Sequence, residues 1–233
     1  MEKSAIREGI KDGSPIFLGY FTTALAFGLL TRSSGFTFVE GVLTSLTNFA
    51  GSGQFLMMNL YNGGAFLLEI VLSVFFINAR YIFMSASLNQ RLKDRKSIIG
   101  RFFVGAGTVD EAFAVASFKG EKLSYSYLIA LMLTSYSGWV SGTAIGYLVG
   151  NILPEIVQKA AVITIYAMFA SLFGNEVSRN VKAVAVVGVS AALNSLFILG
   201  LGLSTGLSFI ISMIISVVFA CFIYTDEEVF DNE

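Results

Sequence analysis

Long stretches without a charged side chain alternate with short charged clusters along this 233-residue chain. Positions 13–31, 41–68, 123–154, 160–175 and 183–225 contain no Asp, Glu, Lys or Arg. A helix needs about 20 predominantly apolar residues to cross roughly 30 Å of hydrocarbon, and several of these windows reach that length. The pattern predicts hydrophobic segments near 14–31, 36–60, 64–88, 102–118, 124–150, 156–175, 181–202 and 204–224. Asp12-Gly13-Ser14-Pro15 reads as the start of the first helix. The preceding residues mix Lys3, Arg7 and Lys11 with Glu2, Glu8 and Asp12, and are expected to form a short amphipathic surface helix. Ala50-Gly51-Ser52-Gly53-Gln54 interrupts the second segment. The expected fold is all-α: a polytopic integral membrane protein with about six to eight hydrophobic helices, one of them broken or re-entrant near residues 50–54.

Composition agrees with that reading. Charged residues make up 13% of the chain and hydrophobic ones 55%, where an average soluble domain carries roughly 25% charged residues. The chain has no His, which removes imidazole metal sites, His-based triads and a histidine proton relay. A single Cys, Cys221, allows no internal disulfide or thiolate cluster. The net charge of −1 argues against nucleic-acid binding. No Gly-rich phosphate loop, nucleophile–base pair or metal-ligand cluster stands out, so neither enzymatic activity nor a cofactor is expected. The whole chain, 1–233, reads as one transmembrane domain.

Charge also bears on topology. The loop 89–101 holds Arg91, Lys93, Arg95, Lys96 and Arg101 against Asp94 alone, and the positive-inside rule places it in the cytoplasm. Basic residues at the N-terminus want the same side, yet three full crossings would separate the two. A second segment that dips in and folds back at its glycines removes the conflict; an N-terminus facing outward is the alternative. A faint internal repeat is expected between the halves 14–88 and 124–202, with chance similarity of apolar segments the alternative. Asn48-Phe49-Ala50-Gly51 precedes Met168-Phe169-Ala170-Ser171 by 120 positions, and Asn78 precedes Asn194 by 116. Such duplication is common in secondary transporters, with substrate held at the repeat interface.

Three places carry chemistry. The two glycines at 51 and 53 weaken a helix by roughly 1 kcal/mol each, and in lipid the freed backbone groups need partners. Amides of a second half-helix would attract a carboxylate, with Asn48, Ser52 and Gln54 adding polar atoms. A glycine notch for close helix packing is the alternative. Asn78-Ala79-Arg80 lies inside the third segment, where an arginine costs about 2.5–3.5 kcal/mol on insertion scales unless it meets protein or water. Glu69 returns to nearly the same face as Arg80 about 16 Å along the axis, so the two would flank one polar cavity; snorkelling of Arg80 to the interface is the alternative. Asp110-Glu111 follows Gly105-Ala106-Gly107-Thr108-Val109. One acid would pair with Arg80 and the other carry a proton, or both sit in the first turn of a surface helix. Gly138, Gly142, Gly146 and Gly150 form a groove for another helix, internal or from a partner subunit. Glu176 and Arg179 are spaced as a local surface pair.

In their order, Phe49-Ala50-Gly51-Ser52-Gly53-Gln54-Phe55, Asn78-Ala79-Arg80-Tyr81 and Asp110-Glu111-Ala112-Phe113-Ala114 resemble the signature stretches of the AzlC-type branched-chain amino-acid exporters. The resemblance implies a multi-pass permease of the bacterial inner membrane that exports leucine, isoleucine, valine or related hydrophobic amino acids. It also implies a small AzlD-type membrane subunit as partner, with the glycine groove a candidate docking surface. Tyr81 stands where many members carry a His, so a His-dependent proton step has no place here. On this reading Asn48, Gly51, Ser52, Gly53, Gln54 and Asn78 bind substrate, while Glu69, Arg80, Asp110 and Glu111 couple or gate transport. A channel or permease for another small solute, and a non-transporting scaffold subunit, are the rival functions.

Overall fold

The computed structural model describes residues 2–93, 97–119, 123–150 and 182–223, with the single positions 170 and 174. The sixth predicted segment, its Phe169 and Ser171, the Glu176–Arg179 pair and the acidic tail lie outside the described residues. The chain divides into two compact units, one formed by Met1–Met58 and Ile77–Ile165, the other by Asn59–Phe76 and Tyr166–Glu233.

The frame of the first unit is a parallel pair of long helices, α1 (Glu2–Ser33) and α8 (Tyr125–Val149). A Cβ on Gly9 would lie 2.4 Å from Tyr127 O, one on Gly138 2.6 Å from Phe17 O, and one on Gly146 2.2 Å from Leu25 O. In lipid, association of helices depends on close packing rather than on expulsion of water, and these glycines let the two backbones touch along their length. The amphipathic stretch and the first segment are thus one 32-residue helix, not a surface helix followed by a new start at Ser14. Pro15 sits inside it. The carbonyl that its missing N–H leaves free, Lys11 O, accepts the Ser14 hydroxyl at 2.8 Å.

The second segment is a re-entrant hairpin. A capping box starts α2 (Phe38–Thr47): Thr37 N–H donates to Glu40 Oε2 at 2.7 Å and Glu40 N–H to Thr37 Oγ1 at 3.3 Å. The helix begins beside the ends of α1 and α8, where the Tyr147 hydroxyl donates to Phe36 O at 2.7 Å. It stops halfway along α8, where the Tyr136 hydroxyl donates to Leu46 O at 2.8 Å. After Asn48–Ala50 the chain reverses into α3 (Gly51–Asn62). Gly51 lies on the Trp139 ring, and Phe55, one turn later, meets the edge of Phe27 at 5.4 Å between ring centroids. The interruption thus falls at Asn48–Ala50, and Gly51–Gln54 form the first turn of the returning helix.

A second hairpin enters from the other end. The predicted segment 102–118 is two short helices, α6 (Ile98–Ala106) and α7 (Asp110–Ser117), separated by Gly107-Thr108-Val109. Gly100 packs on the Tyr125 ring at the start of α8, and Gly107 on Met132 two turns further along. The return brings Ser117 O to Arg91 Nη1 at 3.2 Å and Lys119 Nζ to Glu8 and Asp12 on α1, the latter at 3.0 Å. Between the hairpins in the sequence come α4 (Leu67–Asn78) and α5 (Arg80–Gln90), a nearly continuous apolar stretch in which Ala79 keeps helical dihedrals. Leu92 and Leu123 then pair in a short parallel bridge. The start of the basic loop and the N-terminal half of α1 therefore lie at the same end of this unit, as the re-entrant topology requires.

In the second unit, α9 (Lys182–Ser195) passes through a π-turn (Leu196–Gly200) and folds back as α10 (Thr205–Ile223). Here α10 is inside out: its buried positions are Gly206, Ser208, Ile210, Ser212 and Ser216, while Ile214, Val217, Val218 and Phe222 are exposed. That inversion suits hydrocarbon rather than water outside. Five stretches, Lys3–Ser33, Leu67–Gln90, Tyr125–Val149, Lys182–Gly200 and Thr205–Ile223, are long and apolar enough to cross a membrane. The protein is a polytopic, all-α membrane protein.

Candidate functional site

The tips of the two hairpins meet halfway along α1 and α8. At one tip, Gln54 N–H is the first amide of α3 bonded back to the chain, to Ala50 O at 2.9 Å. The amides of Gly51, Ser52 and Gly53 precede that bond and have no partner within the helix. At the other tip, Asp110 and Glu111 occupy the first turn of α7, where the helix dipole favours negative charge.

Arg80 joins the two. Its Nη2 lies 2.7 Å from Asp110 Oδ2 and donates to Ser52 Oγ at 3.2 Å. The guanidinium sits over the Tyr81 ring at 5.2 Å, and the Tyr81 hydroxyl is 3.5 Å from Asp110 Oδ2. Arg80 opens α5 directly after Ala79, whose φ of −56° and ψ of −29° are helical, and its side chain reaches both hairpin tips. The Arg80 side chain is 42% exposed and that of Asp110 27%. An ion pair this open at mid-depth is tolerable only against water or a polar ligand, because hydrocarbon would not solvate it.

Glu111 is held separately, accepting a hydrogen bond from the Tyr20 hydroxyl. Tyr20 also meets Phe49 and Trp139 edge-on, with centroids 5.6 and 5.5 Å apart. Tyr20 was not singled out from the sequence, and Tyr81 was noted only as standing in place of a His. The usable signal was a phenol in the middle of the uncharged window 13–31, and a second beside the arginine inside the third predicted segment. The amide of Asn78 rests on Gly53: a Cβ at residue 53 would come within 2.9 Å of both Asn78 Oδ1 and Nδ2. Asn78 Oδ1 is buried without a hydrogen-bond partner.

Gln54 is fully buried, and its capacity is used inside the protein. Its Nε2 donates to Thr44 O at 2.9 Å and Asn48 O at 2.6 Å, carbonyls at the end of α2. Its Oε1 accepts from Trp139 Nε1 at 2.9 Å. It therefore closes the C-terminal end of α2 and ties the break to α8. Beside the tips lies an apolar cavity of about 310 Å³, lined from α2 and the break by Leu46 and Phe49, from the other hairpin by Phe103 and Gly107, and from α8 by Met132 and Tyr136. That volume is at the small end of the roughly 300–1,000 Å³ typical of small-molecule sites.

Asn48, Gly51, Ser52, Gly53, Gln54, Asn78, Arg80, Asp110 and Glu111 thus fall in one region of the first unit. Glu69 belongs to the second unit, where its Oε1 accepts from Ser204 Oγ at 2.6 Å. The glycine groove on α8 is filled by α1 of the same chain. Gly138, Gly142 and Gly146 abut its backbone and Gly150 its Leu29 and Arg32 side chains, so the groove offers no open face to a partner subunit.

Residues 15–153 match the family described as AzlC protein. An uncharacterized membrane protein of Archaeoglobus fulgidus is 40% identical over 197 residues, covering 83% of this chain and 86% of that protein. Inner membrane protein YgaZ of Escherichia coli is 34% identical over 152 residues, 62% of this chain and 60% of the relative. The branched-chain amino acid transport protein AzlC of Bacillus subtilis is 23% identical over 201 residues, 84% of this chain and 78% of its own length. No solved structure matches. The matched region runs through both hairpins and from Tyr20 to Trp139, and the chain belongs to the AzlC family.

Proposed function

We propose that this protein is a secondary transporter that exports branched-chain or related hydrophobic amino acids across the bacterial inner membrane, together with a small membrane subunit. The observation that carries the reading is the meeting of two hairpin tips, entering from opposite ends, beside an apolar cavity. A zwitterionic amino acid with an aliphatic side chain needs three things: donors for its carboxylate, an acid for its ammonium group and an apolar wall. The amides of Gly51–Gly53 provide the first, Asp110 or Glu111 the second, and the cavity bounded by Leu46, Phe49, Phe103 and Met132 the third.

Arg80 gives the site two states. It holds Asp110 when no substrate is present; an arriving ammonium group competes for that carboxylate and releases Arg80 toward Ser52 and the hairpin tip. Asn78, seated on Gly53, sets the spacing between the break and α5. Because the hairpins reach the site from opposite ends, movement of either one opens it to one side only, which is the requirement of alternating access. The names of the Bacillus subtilis and Escherichia coli relatives agree with the substrate class and the membrane.

The test is counterflow of leucine and valine in proteoliposomes, with and without a small co-encoded membrane subunit. Saturable exchange that is lost in Asp110→Asn and retained for hydrophobic amino acids alone is the expected result. Absence of exchange in both preparations, with folded protein, overturns the reading.

A further inference from the structure

Two neighbouring acids at one hairpin tip are held by partners of different chemistry. Asp110 Oδ2 takes Arg80 Nη2 at 2.7 Å, while Glu111 Oε2 meets the Tyr20 hydroxyl. A guanidinium has donors alone and is always protonated, so it serves Asp110 in its ionised state. A phenol hydroxyl is donor and acceptor at once: it donates to a carboxylate and accepts from a carboxylic acid. Asp110 is therefore tied to one charge state, and Glu111 has a partner in both.

Tyr20 connects that acid to the other hairpin. Tyr20 and Glu111 are both half-buried. The Tyr20 ring lies edge-on to Phe49 and Trp139, with centroids 5.6 and 5.5 Å apart. Phe49 belongs to the break Asn48–Ala50, and Gln54 joins Asn48 O to the Trp139 indole. One side chain of α1 thus touches the second hairpin through its hydroxyl and the first through its ring. Removing the hydroxyl alone leaves the ring contacts in place.

The charged and titratable groups of the described residues on this side of α7 come from three helices. Besides Tyr20 of α1 and Asp110 of α7 itself, α5 presents Arg80 and Tyr81, the Tyr81 hydroxyl 3.5 Å from Asp110 Oδ2. From α8, Tyr136 donates its hydroxyl to Leu46 O. Lys119, Glu8, Asp12 and Tyr127 form a separate cluster beyond the far end of α7, whose eight residues span roughly 12 Å.

Asp110 and Glu111 share the first turn of α7, so the charge of one acts on whatever the other holds. An ammonium group at Asp110 meets two negative charges when both acids are ionised and one when Glu111 is protonated. Linkage makes the effect mutual: the factor by which a proton on Glu111 weakens the ammonium is the factor by which the ammonium weakens the proton. That reciprocity is what exchange of a proton against an amino acid requires. The proton adds to the Glu111 carboxylate from water on one side and returns to water on the other, and no bond of the amino acid changes.

We infer that Glu111 is the proton-binding acid of this site and Tyr20 its positioning residue, so that proton and amino acid exclude one another. The inference rests on the amino-acid reading above. The experiment is equilibrium binding of radiolabelled leucine to the full-length protein in detergent, with and without the co-encoded subunit, from pH 8 to pH 5. In the wild type the dissociation constant should rise several-fold as pH falls. In Glu111→Gln it should not vary with pH. In Tyr20→Phe the curve should move to higher pH, because removing a donor to the carboxylate favours its protonated form. A tyrosine that only packs would change Tm or the limiting affinity and leave the midpoint in place. Leucine binding that is independent of pH in the wild type overturns the inference and leaves the amino-acid reading standing, as does a pH dependence kept in Glu111→Gln. A Tyr20→Phe midpoint unmoved, or moved to lower pH, overturns the role of Tyr20; that variant carries the test by itself if Glu111→Gln does not fold. No leucine binding at any pH in either preparation overturns the amino-acid reading and this inference with it.

Discussion

Replacing Gln54 by Leu separates a residue that builds the site from one that touches the substrate. The substitution removes two hydrogen bonds from Nε2, to Thr44 O and Asn48 O, one accepted from Trp139 Nε1, and a long one accepted from the Ser45 hydroxyl, which keeps Thr143 Oγ1 as a partner at 2.8 Å. Both carbonyls keep one backbone donor, since Asn48 N–H reaches Thr44 O at 3.0 Å and Ala50 N–H reaches Asn48 O at 2.9 Å. The indole of Trp139, 1% exposed, loses its only acceptor. Two net hydrogen bonds at about 1 kcal/mol each, with an orphaned buried N–H at about 1–3 kcal/mol, give a loss of roughly 4 kcal/mol. In a chain of this size that corresponds to a fall of roughly 10 °C in Tm, measured by thermal unfolding in detergent without substrate. Adding Trp139→Phe removes the orphan, so the double variant should be less destabilised than the sum of the singles by about 2 kcal/mol. Additive losses, or an unchanged Tm with a raised KM for leucine, would refute the structural role and return Gln54 to the substrate.

Arg80→Ala should insert and fold but lose amino-acid counterflow, since Asp110 would then hold no exchangeable partner; normal counterflow in a correctly inserted variant counts against the switch. Gly142→Leu should prevent α1 and α8 from closing, because even a Cβ there lies 2.5 Å from Phe21 O, whereas Gly188→Ala, with nothing within 4 Å, should leave Tm unchanged; size-exclusion profiles and Tm compare them. Single cysteines at Ser34 and Asn62, in a Cys221→Ser background, should react with an impermeant thiol reagent from one side of the membrane and a cysteine at Lys93 from the other. Labelling of Asn62 and Lys93 from the same side would exclude the re-entrant path of α2 and α3. The Glu8 carboxylate, then that of Asp12, hold the Lys119 ammonium above its ordinary value of 10.5. A raised folded-state value means that this contribution is complete below about pH 10.5 and disappears as pH climbs through the folded-state value. Tm measured from pH 8 upward should therefore fall less steeply in Lys119→Met.

The sequence by itself determined the membrane class, because a 43-residue window without charge, 183–225, has no soluble solution. It also marked residues that the structure brings together: glycines at 51 and 53, an arginine within a span and an acid pair after Gly107 are each costly in hydrocarbon, and cost is visible in one dimension. Even the re-entrant second segment was legible, as the way to place two basic regions on one side. What the tertiary structure alone decided is how these points meet. Local signals at Asp12–Pro15 favoured a helix start, yet contact of Gly9 and Gly13 with α8 carries α1 through the proline. Spacing left Glu69 and Arg80 on one face of one segment, but the structure assigns them to different units with different partners, Ser204 for one and Asp110 for the other. The glycine row predicted a helix in the groove without naming it; α1 fills it because its own small residues match the spacing. Gln54, expected beside the substrate, also donates to Thr44 O and Asn48 O and accepts from Trp139 Nε1, partners that spacing along the chain does not reveal. Hydrogen bonds and close packing join residues distant along the chain, so which of them pair is decided only in three dimensions.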